Sequence, residues 1–335
     1  MRKTVNTASA KHEVTVGRSL SLSPNKNKRR RRDLIFVAIL LAYPVVQFVG
    51  TWLFINVGAL LMSFQKDVLG QTVWTFDHFK RVIQLLFDNS TNKTGIPGFN
   101  DSWVAILNSL GYGVITIFIS LPLSLIFAYF LQKKMPFANV LRVIFFLPNV
   151  IPVVALTMAY NTPLMEGGYI NALLSKLGLI LGNDIYGRWP SSQMLVYIYC
   201  IWAGLGYNVV LLSGAIGRIP KELFESAQLD GAGYFTEFTK ITIPLIWPTI
   251  VTLIVLGMTN VLTLYLQPYL LVGGREGVAD TIAMQIFQSV NPAVKYNPNA
   301  MAENAAKGLL FSVIWAPIVL LVRNRLSKKY ADVDF

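Results

Sequence analysis

Few residues of this sequence can do chemistry, and their types decide which chemistry. One cysteine, Cys200, lies in an apolar stretch, so neither a disulfide within the chain nor a cysteine-based metal site can be built. It reads as a small buried apolar residue. The two histidines, His12 and His78, fall in polar segments, which leaves a zinc or haem centre unsupported. No G-x-x-x-x-G-K-[ST] loop is present to cradle ATP phosphates. What remains is an uncharged set within two apolar stretches: Trp202, Tyr207 and Asn208, then Asn260, Thr263, Tyr265 and Gln267. Hydroxyls, amides and aromatic faces hydrogen-bond and stack without net charge. The same groups have structural uses. An intramembrane Asn or Thr often joins helices, at about 0.6 kcal/mol on average, and a Tyr near a span end often anchors at the interface.

The elements that must position these groups follow from composition. Of the 335 residues, 54% are hydrophobic and only 14% charged, with mean hydropathy +0.51. A soluble domain carries roughly a quarter charged residues. Six stretches are long and apolar enough for a helix to cross a hydrocarbon core of about 30 Å: 34–64, 103–131, 143–160, 193–216, 247–272 and 305–322. The predicted fold is therefore all-α and polytopic, with residues 34–325 as one six-span domain. Asp, Glu, Lys and Arg fall in the connections or at span edges, where Lys307 is placed to snorkel toward water. Proton-coupled carriers and pumps usually hold ionisable relays at membrane depth, and voltage sensors hold arginines there. Neither signature appears, nor does a TVGYG filter. Prolines, among them Pro44, Pro122, Pro148, Pro152, Pro248 and Pro268, lie in the spans and free carbonyls that neighbours or a polar cavity must satisfy.

Charge sets the orientation. Segments 1–33, 132–142, 217–246 and 323–335 hold 20 Lys and Arg against 8 Asp and Glu, which accounts for the whole net charge of +12. The other connections hold 9 of each sign. The positive-inside rule then puts the first group, and both termini, in the cytoplasm. Residues 1–33 read as a disordered basic tail and 326–335 as a short C-terminal one.

One cytoplasmic connection stands apart: "RIPKELFESAQLDGAGYFTEFTKITIPL", 218–245, carries seven charged residues between two apolar spans. Pro220 suits a first helical position, and Glu222 and Glu225 suit the positive end of a helix dipole. Leu223, Phe224 and Ala227 share a face. Gly231 and Gly233 supply a left-handed exit. Phe235, Phe238 and Ile241 recur at helical spacing until Pro244 introduces the next span. So short a helix is not stable alone in water, so it needs the span ends or a partner's groove. Its acids argue against a lipid-lying helix and against DNA recognition.

This segment resembles the permease subunits of binding-protein-dependent ABC importers. Their cytoplasmic loop reads E-A-A, three residues, Gly, nine residues, then I-x-L-P. Here Glu225-Ser226-Ala227, three residues, Gly231, nine residues and Ile241-Thr242-Ile243-Pro244 keep the spacing, with Ser226 for Ala and Ile243 for Leu. "LGYNVVLLSGAIGRIPKELFESAQLDGA", "GGYINALLSKLGL" at 167–179 and "LLVGG" at 270–274 look like the carbohydrate-importing, maltose-type branch, although Arg275 stands where many relatives have proline. The resemblance implies a coupling helix between spans four and five that seats in an ATPase subunit. Leu223, Phe224, Glu225, Ser226, Ala227, Asp230, Gly231, Ile241 and Pro244 would form that surface.

The resemblance also implies that this chain catalyses no bond chemistry and holds no cofactor, with ATP and Mg on the partner ATPases. It implies a second, homologous permease subunit, so that the two form a heterodimer. An extracellular solute-binding protein would dock on the outer loops 65–102, 161–192 and 273–304. The setting is a bacterial plasma membrane, in contact with lipid and not nucleic acid. Tyr207 and Asn260 match cavity positions of the maltose-type relatives, Thr263 less closely; Asn208 and Gln267 join them as an expected carbohydrate path. Import of another small solute such as a glycerol phosphate, a sodium-coupled carrier using backbone and hydroxyl oxygens, and a membrane scaffold or sensor stay open at this point.

Overall fold

A computed structural model describes residues 26–68, 71–88, 99–133, 135, 137–178, 186, 191–274, 279–290 and 299–329. Arg275 and most of both tails lie outside the described residues. The chain divides at Gly58 into two compact units. In the first, α1 (Lys26–Gln47) runs through Pro44 into a π-helical stretch, Phe48–Leu53, and on to α2 (Phe54–Met62). The helix begins at Lys26, inside the segment read as a polar tail, because Arg and Lys are good helix formers and extend a helix already nucleated by the apolar run.

The second unit opens with a hairpin of β1 (Gln65–Val68) and β2 (Gln71–Trp74), antiparallel with Gln65 opposite Trp74. It is the one sheet among the described residues; the fold is otherwise helical. Next come α3 (Asp77–Phe87) and α4 (Asp101–Ile115), with Asn100 capping α4 by accepting the Trp103 N–H at 2.9 Å. A π-helical turn joins α4 to α5 (Leu121–Gln132), so that 101–132 is one candidate span. Then follow α6 (Ala138–Val150), α7 (Val153–Asn161), the short α8 (Tyr169–Lys176) and the long α9 (Ser191–Ile216). The insert contributes α10 (Lys221–Leu229), α11 (Tyr234–Glu237) and α12 (Ile243–Leu245). Finally α13 (Trp247–Asn260), α14 (Leu266–Leu271), α15 (Ile282–Val290) and α16 (Ala300–Ser327) complete the chain.

Among the described residues four helices are long and apolar enough to span a membrane, at 30–62, 101–132, 191–216 and 300–327, and the number is six if each of two bent pairs is one span. The expected third and fifth spans are not straight helices. The third turns by 103° between α6 and α7. Ile151 is extended there, as the residue before Pro152 is pushed to be. The fifth was expected as one helix over 247–272, but it stops at Asn260, turns, and restarts at Leu266. Pro268 explains this. It lacks an N–H for the Leu264 carbonyl four residues back, and its ring collides with that carbonyl in a continuous helix. The Leu264 carbonyl instead accepts a hydrogen bond from Thr281 Oγ1, which is fully buried.

Two apolar cores share α9. At the end bearing the insert, Leu125 and Tyr129 of α5, Leu212 and Ile216 of α9 and Ile250 of α13 pack together. Toward the other end, Leu156, Val196, Tyr199, Leu271 and Met284 form the second core, with Cys200 half-buried against it. Polar bonds tie the same helices. Tyr197 donates to the Asn108 carbonyl at 2.9 Å, and Gln132 Nε2 to the Ser213 carbonyl at 2.6 Å. Lys307 does not snorkel: it donates to Gln285 Oε1 at 2.6 Å, while Gln285 Nε2 reaches the Asp101 carbonyl, joining α16, α15 and α4.

Candidate coupling surface and solute path

Each turn of the insert has a local cause. Pro220 sits one residue earlier than expected, as the N-cap of α10 (φ −54°, ψ 134°). At the other end, Gly231 has φ +77°. Its N–H bonds the Gln228 carbonyl at 3.0 Å, and the Ala232 N–H bonds the Ala227 carbonyl at 2.9 Å. These two bonds make a Schellman cap, whose left-handed position glycine fills without Cβ strain. Gly233 was expected to share that role. It does not, since its φ is −76° and it serves as the N-cap of α11. From Tyr234 the chain stays helical, through a π-helical stretch at Phe238–Thr242, up to Leu245, and then bends by 74° into α13.

The exposed surface differs from the face expected of α10. Glu225, Ser226, Asp230 and Gly231 are exposed, and so is Leu223. Phe224 and Ala227, expected beside Leu223, are half-buried, and Phe224 packs against the insert-end core. A helix this short needs its apolar side covered, and the span ends cover it. Ile241 and Pro244 are also half-buried. The outward apolar groups include Leu229, 89% exposed, and Phe235, 79% exposed, together with Tyr234. Residue type and helical spacing alone did not separate Phe235 from its half-buried neighbour Phe238.

Sequence reasoning also missed a buried ion pair behind the insert. Glu237 of α11 is 1% exposed and pairs with Lys133 Nζ, just beyond the end of α5. The only advance signal was that both are charged residues beside apolar spans.

The expected solute-path residues separate into two groups. Trp202 belongs to an aromatic cluster, its ring 6.3 Å from Tyr160 and 6.1 Å from Tyr199. Tyr265 stacks obliquely on Phe287 at 5.0 Å. Both rings thus pack against other aromatic rings, Trp202 with 44% of its surface still exposed. By contrast Tyr207 is exposed on α9, Asn260 is exposed at the last residue of α13, and Thr263 is exposed in the turn that follows. Asn208 and Gln267 are half-buried. The side chains of Tyr207, Asn208, Asn260 and Gln267 have no hydrogen-bond partner among the described residues, while Thr263 Oγ1 makes one long bond of 3.5 Å to the Thr259 carbonyl. The path expected in span five therefore coincides with the break in its helix. Irregular backbone at membrane depth is tolerated where it lines a cavity or is covered by protein.

Residues 106–325 match the family described as "binding-protein-dependent transport system inner membrane component". The probable ABC transporter permease protein YurN of Bacillus subtilis is 32% identical over 217 residues, covering 62% of this chain and 69% of that protein. The arabinooligosaccharides transport system permease protein AraP of Bacillus subtilis is 24% identical, covering 85% of this chain and 86% of that protein. Among solved structures, a bacterial ABC transporter involved in the import of the acidic polysaccharide alginate has a similar fold. Its TM-score is 0.72 at 23% identity, covering 91% of this chain and 99% of that one.

Proposed function

The chain belongs to the inner membrane components of binding-protein-dependent transport systems, and from that premise we propose that it is a permease subunit importing an oligosaccharide by alternating access. One observation carries the carbohydrate reading: Tyr207, Asn260 and Thr263 are exposed, uncharged and hydrogen-bond-capable on helices built for lipid. Such groups against hydrocarbon are costly, so they face a water-filled path or a second subunit. Neutral hydroxyl and amide groups suit a polyhydroxylated solute. Relatives named for arabinooligosaccharide transport support the same class.

The insert faces the cytoplasm in this reading, and α10 with Leu229, Tyr234 and Phe235 seats in a separate ATPase subunit that binds ATP and Mg. A homologous permease subunit completes the pore, and a solute-binding protein delivers cargo from outside a bacterial plasma membrane. Two substitutions test the coupling. Gly231→Val strains the left-handed cap at about 1–2 kcal/mol, and Glu225→Lys reverses charge on the exposed face. Each should abolish co-purification with the ATPase and uptake while leaving membrane insertion intact. Uptake that survives both changes, or that needs no ATPase, refutes the importer reading. Stimulation of ATPase activity by glycerol phosphate but not by any oligosaccharide refutes the cargo class alone.

A further inference from the structure

Lys133 stands where three elements of the insert end meet. Its Nζ pairs with Glu237 of α11. It also lies 5.1 Å from the ring centroid of Phe224 on α10, 5.5 Å from Tyr129 on α5 and 5.7 Å from Tyr234 on α11. Tyr129 adds a second crossing bond, donating its hydroxyl to the Tyr234 carbonyl at 3.2 Å. An ammonium over aromatic faces is held electrostatically, and more strongly when desolvated. Glu237 is almost wholly desolvated, with its side chain 2% exposed.

The surroundings place the mechanical load on this cluster. A cavity of about 320 Å³ separates α10 from the ends of α5 and α9; Phe224, Glu225 and Gln228 line one side, Gln132 and Ile216 the other. Beside this cavity the α10 residue that packs against the insert-end core is Phe224, and close packing is what transmits displacement through a protein interior. The covalent link from α10 to α11 runs through Gly231 and Gly233, and a Cβ at either would meet nothing within 4 Å. Neither glycine supplies a side chain to brace that link. The Lys133 cluster is the polar contact that bridges α5, α10 and α11 at once.

We propose that Lys133 and Glu237 are positioning residues for energy coupling, pinning α10 to the end of α5 so that displacement of the coupling helix moves the spans. The proposal rests on the importer reading above. Without the pin, α10 follows its ATPase partner into the cavity and the spans lag behind. ATP is then hydrolysed with little solute moved. Glu237 is buried and Lys133 is 22% exposed, so their loss leaves the exposed side chains of α10 unaltered.

The test uses the whole transporter, with ATPase, both permease subunits and binding protein, in proteoliposomes, and reads solute imported per ATP hydrolysed. Lys133→Gln alone strands a buried carboxylate and risks misfolding, so the informative variant is the neutral double, Lys133→Gln with Glu237→Gln. Expected is an assembled complex whose uptake per ATP falls about tenfold, within the usual range of a coupling free energy. Lys133→Arg keeps charge and ring contacts and should restore coupling. Three results overturn the pin: an unchanged ratio in the double variant, failure of the double variant to assemble, or an Arg variant as uncoupled as the double. If the unaltered complex shows no ATP-dependent uptake, the importer reading itself fails.

Discussion

The α6 and α9 backbones approach closely at Gly206, and adding one methyl group there gives a calculable outcome. A Cβ on Gly206 would lie 1.9 Å from the Phe145 carbonyl oxygen, 2.6 Å from its carbon and 2.9 Å from Asn149 Nδ2. Carbon contacts relax only at about 3.5 Å, so the two helices must part by about 1.5 Å, and a gap of even ~1 Å forfeits up to half of the dispersion energy at a contact. The obstacle is backbone, which cannot swing aside like a side chain. The Asn149 bond to the Ala203 carbonyl, 3.2 Å, would be lost too. Overpacking of this kind costs about 3 kcal/mol, against about 0.5–1 kcal/mol gained by replacing a helical glycine with alanine. Gly206→Ala should therefore destabilise by about 2 kcal/mol. Gly204, two residues earlier on the same helix, is the control. A Cβ there meets nothing within 4 Å, so Gly204→Ala should stabilise slightly, by about 0.5 kcal/mol. The assay is the midpoint of unfolding by SDS in mixed micelles, both variants measured in parallel. Equal midpoints would show that α6 does not pack on α9 at Gly206.

Other positions yield sharp expectations of their own. Thr281→Val removes the donor to the Leu264 carbonyl and the acceptor of the Met284 N–H, 3.1 Å; each group left unpaired costs about 1–3 kcal/mol. Thr281→Ser should recover most of the loss in the same SDS titration, and a silent valine variant would remove the explanation offered for the break in span five. Asn161 is 5% exposed, donates to the Leu271 carbonyl at 3.0 Å and accepts from the Tyr186 hydroxyl at 2.6 Å. Asn161→Ala should cost about 2 kcal/mol, while Asn161→Asp, which keeps the acceptor and loses the donor, should restore part of it. Tyr207→Ala and Asn260→Ala should weaken uptake by about tenfold, the order expected when one or two solute hydrogen bonds are lost, with ATPase co-purification unchanged. Loss of ATPase association instead would place these residues in the scaffold and not on the path.

Helix content and span number were legible because lipid imposes them. A charge in hydrocarbon is so costly that the gaps between charges mark the spans. The same logic cannot report a bend. Pro122 sits in the first turn of α5 and the span runs on through it, whereas the chain bends by 103° at Pro152 and by 74° just before Pro248, and the helix is interrupted before Pro268. What distinguishes them is the partner waiting for the displaced backbone, and that partner is remote in sequence. Thr281, which receives the Leu264 carbonyl, is 17 residues away. Nothing in the spacing around Pro268 points to it.

The insert shows the opposite balance. Gly231 was readable by type, since a left-handed cap leaves few other residues possible, and the structure puts it at φ +77°. The inward and outward faces of α10 were not readable, because helical spacing groups residues without stating which side meets protein. Phe224 was placed with Leu223 on chemistry alone; the cavity wall and Lys133 draw it inward instead. Glu237 is the clearest case. In the sequence it is one acid among several in a polar loop, with nothing to mark it as the one that is buried. Burial of a carboxylate is tolerable only with its counter-charge in place, and that charge is Lys133, more than a hundred residues upstream across α6 to α10. The spacing of the motif therefore identifies the surface proposed here to meet a partner. What braces that surface from behind is set by tertiary contacts alone.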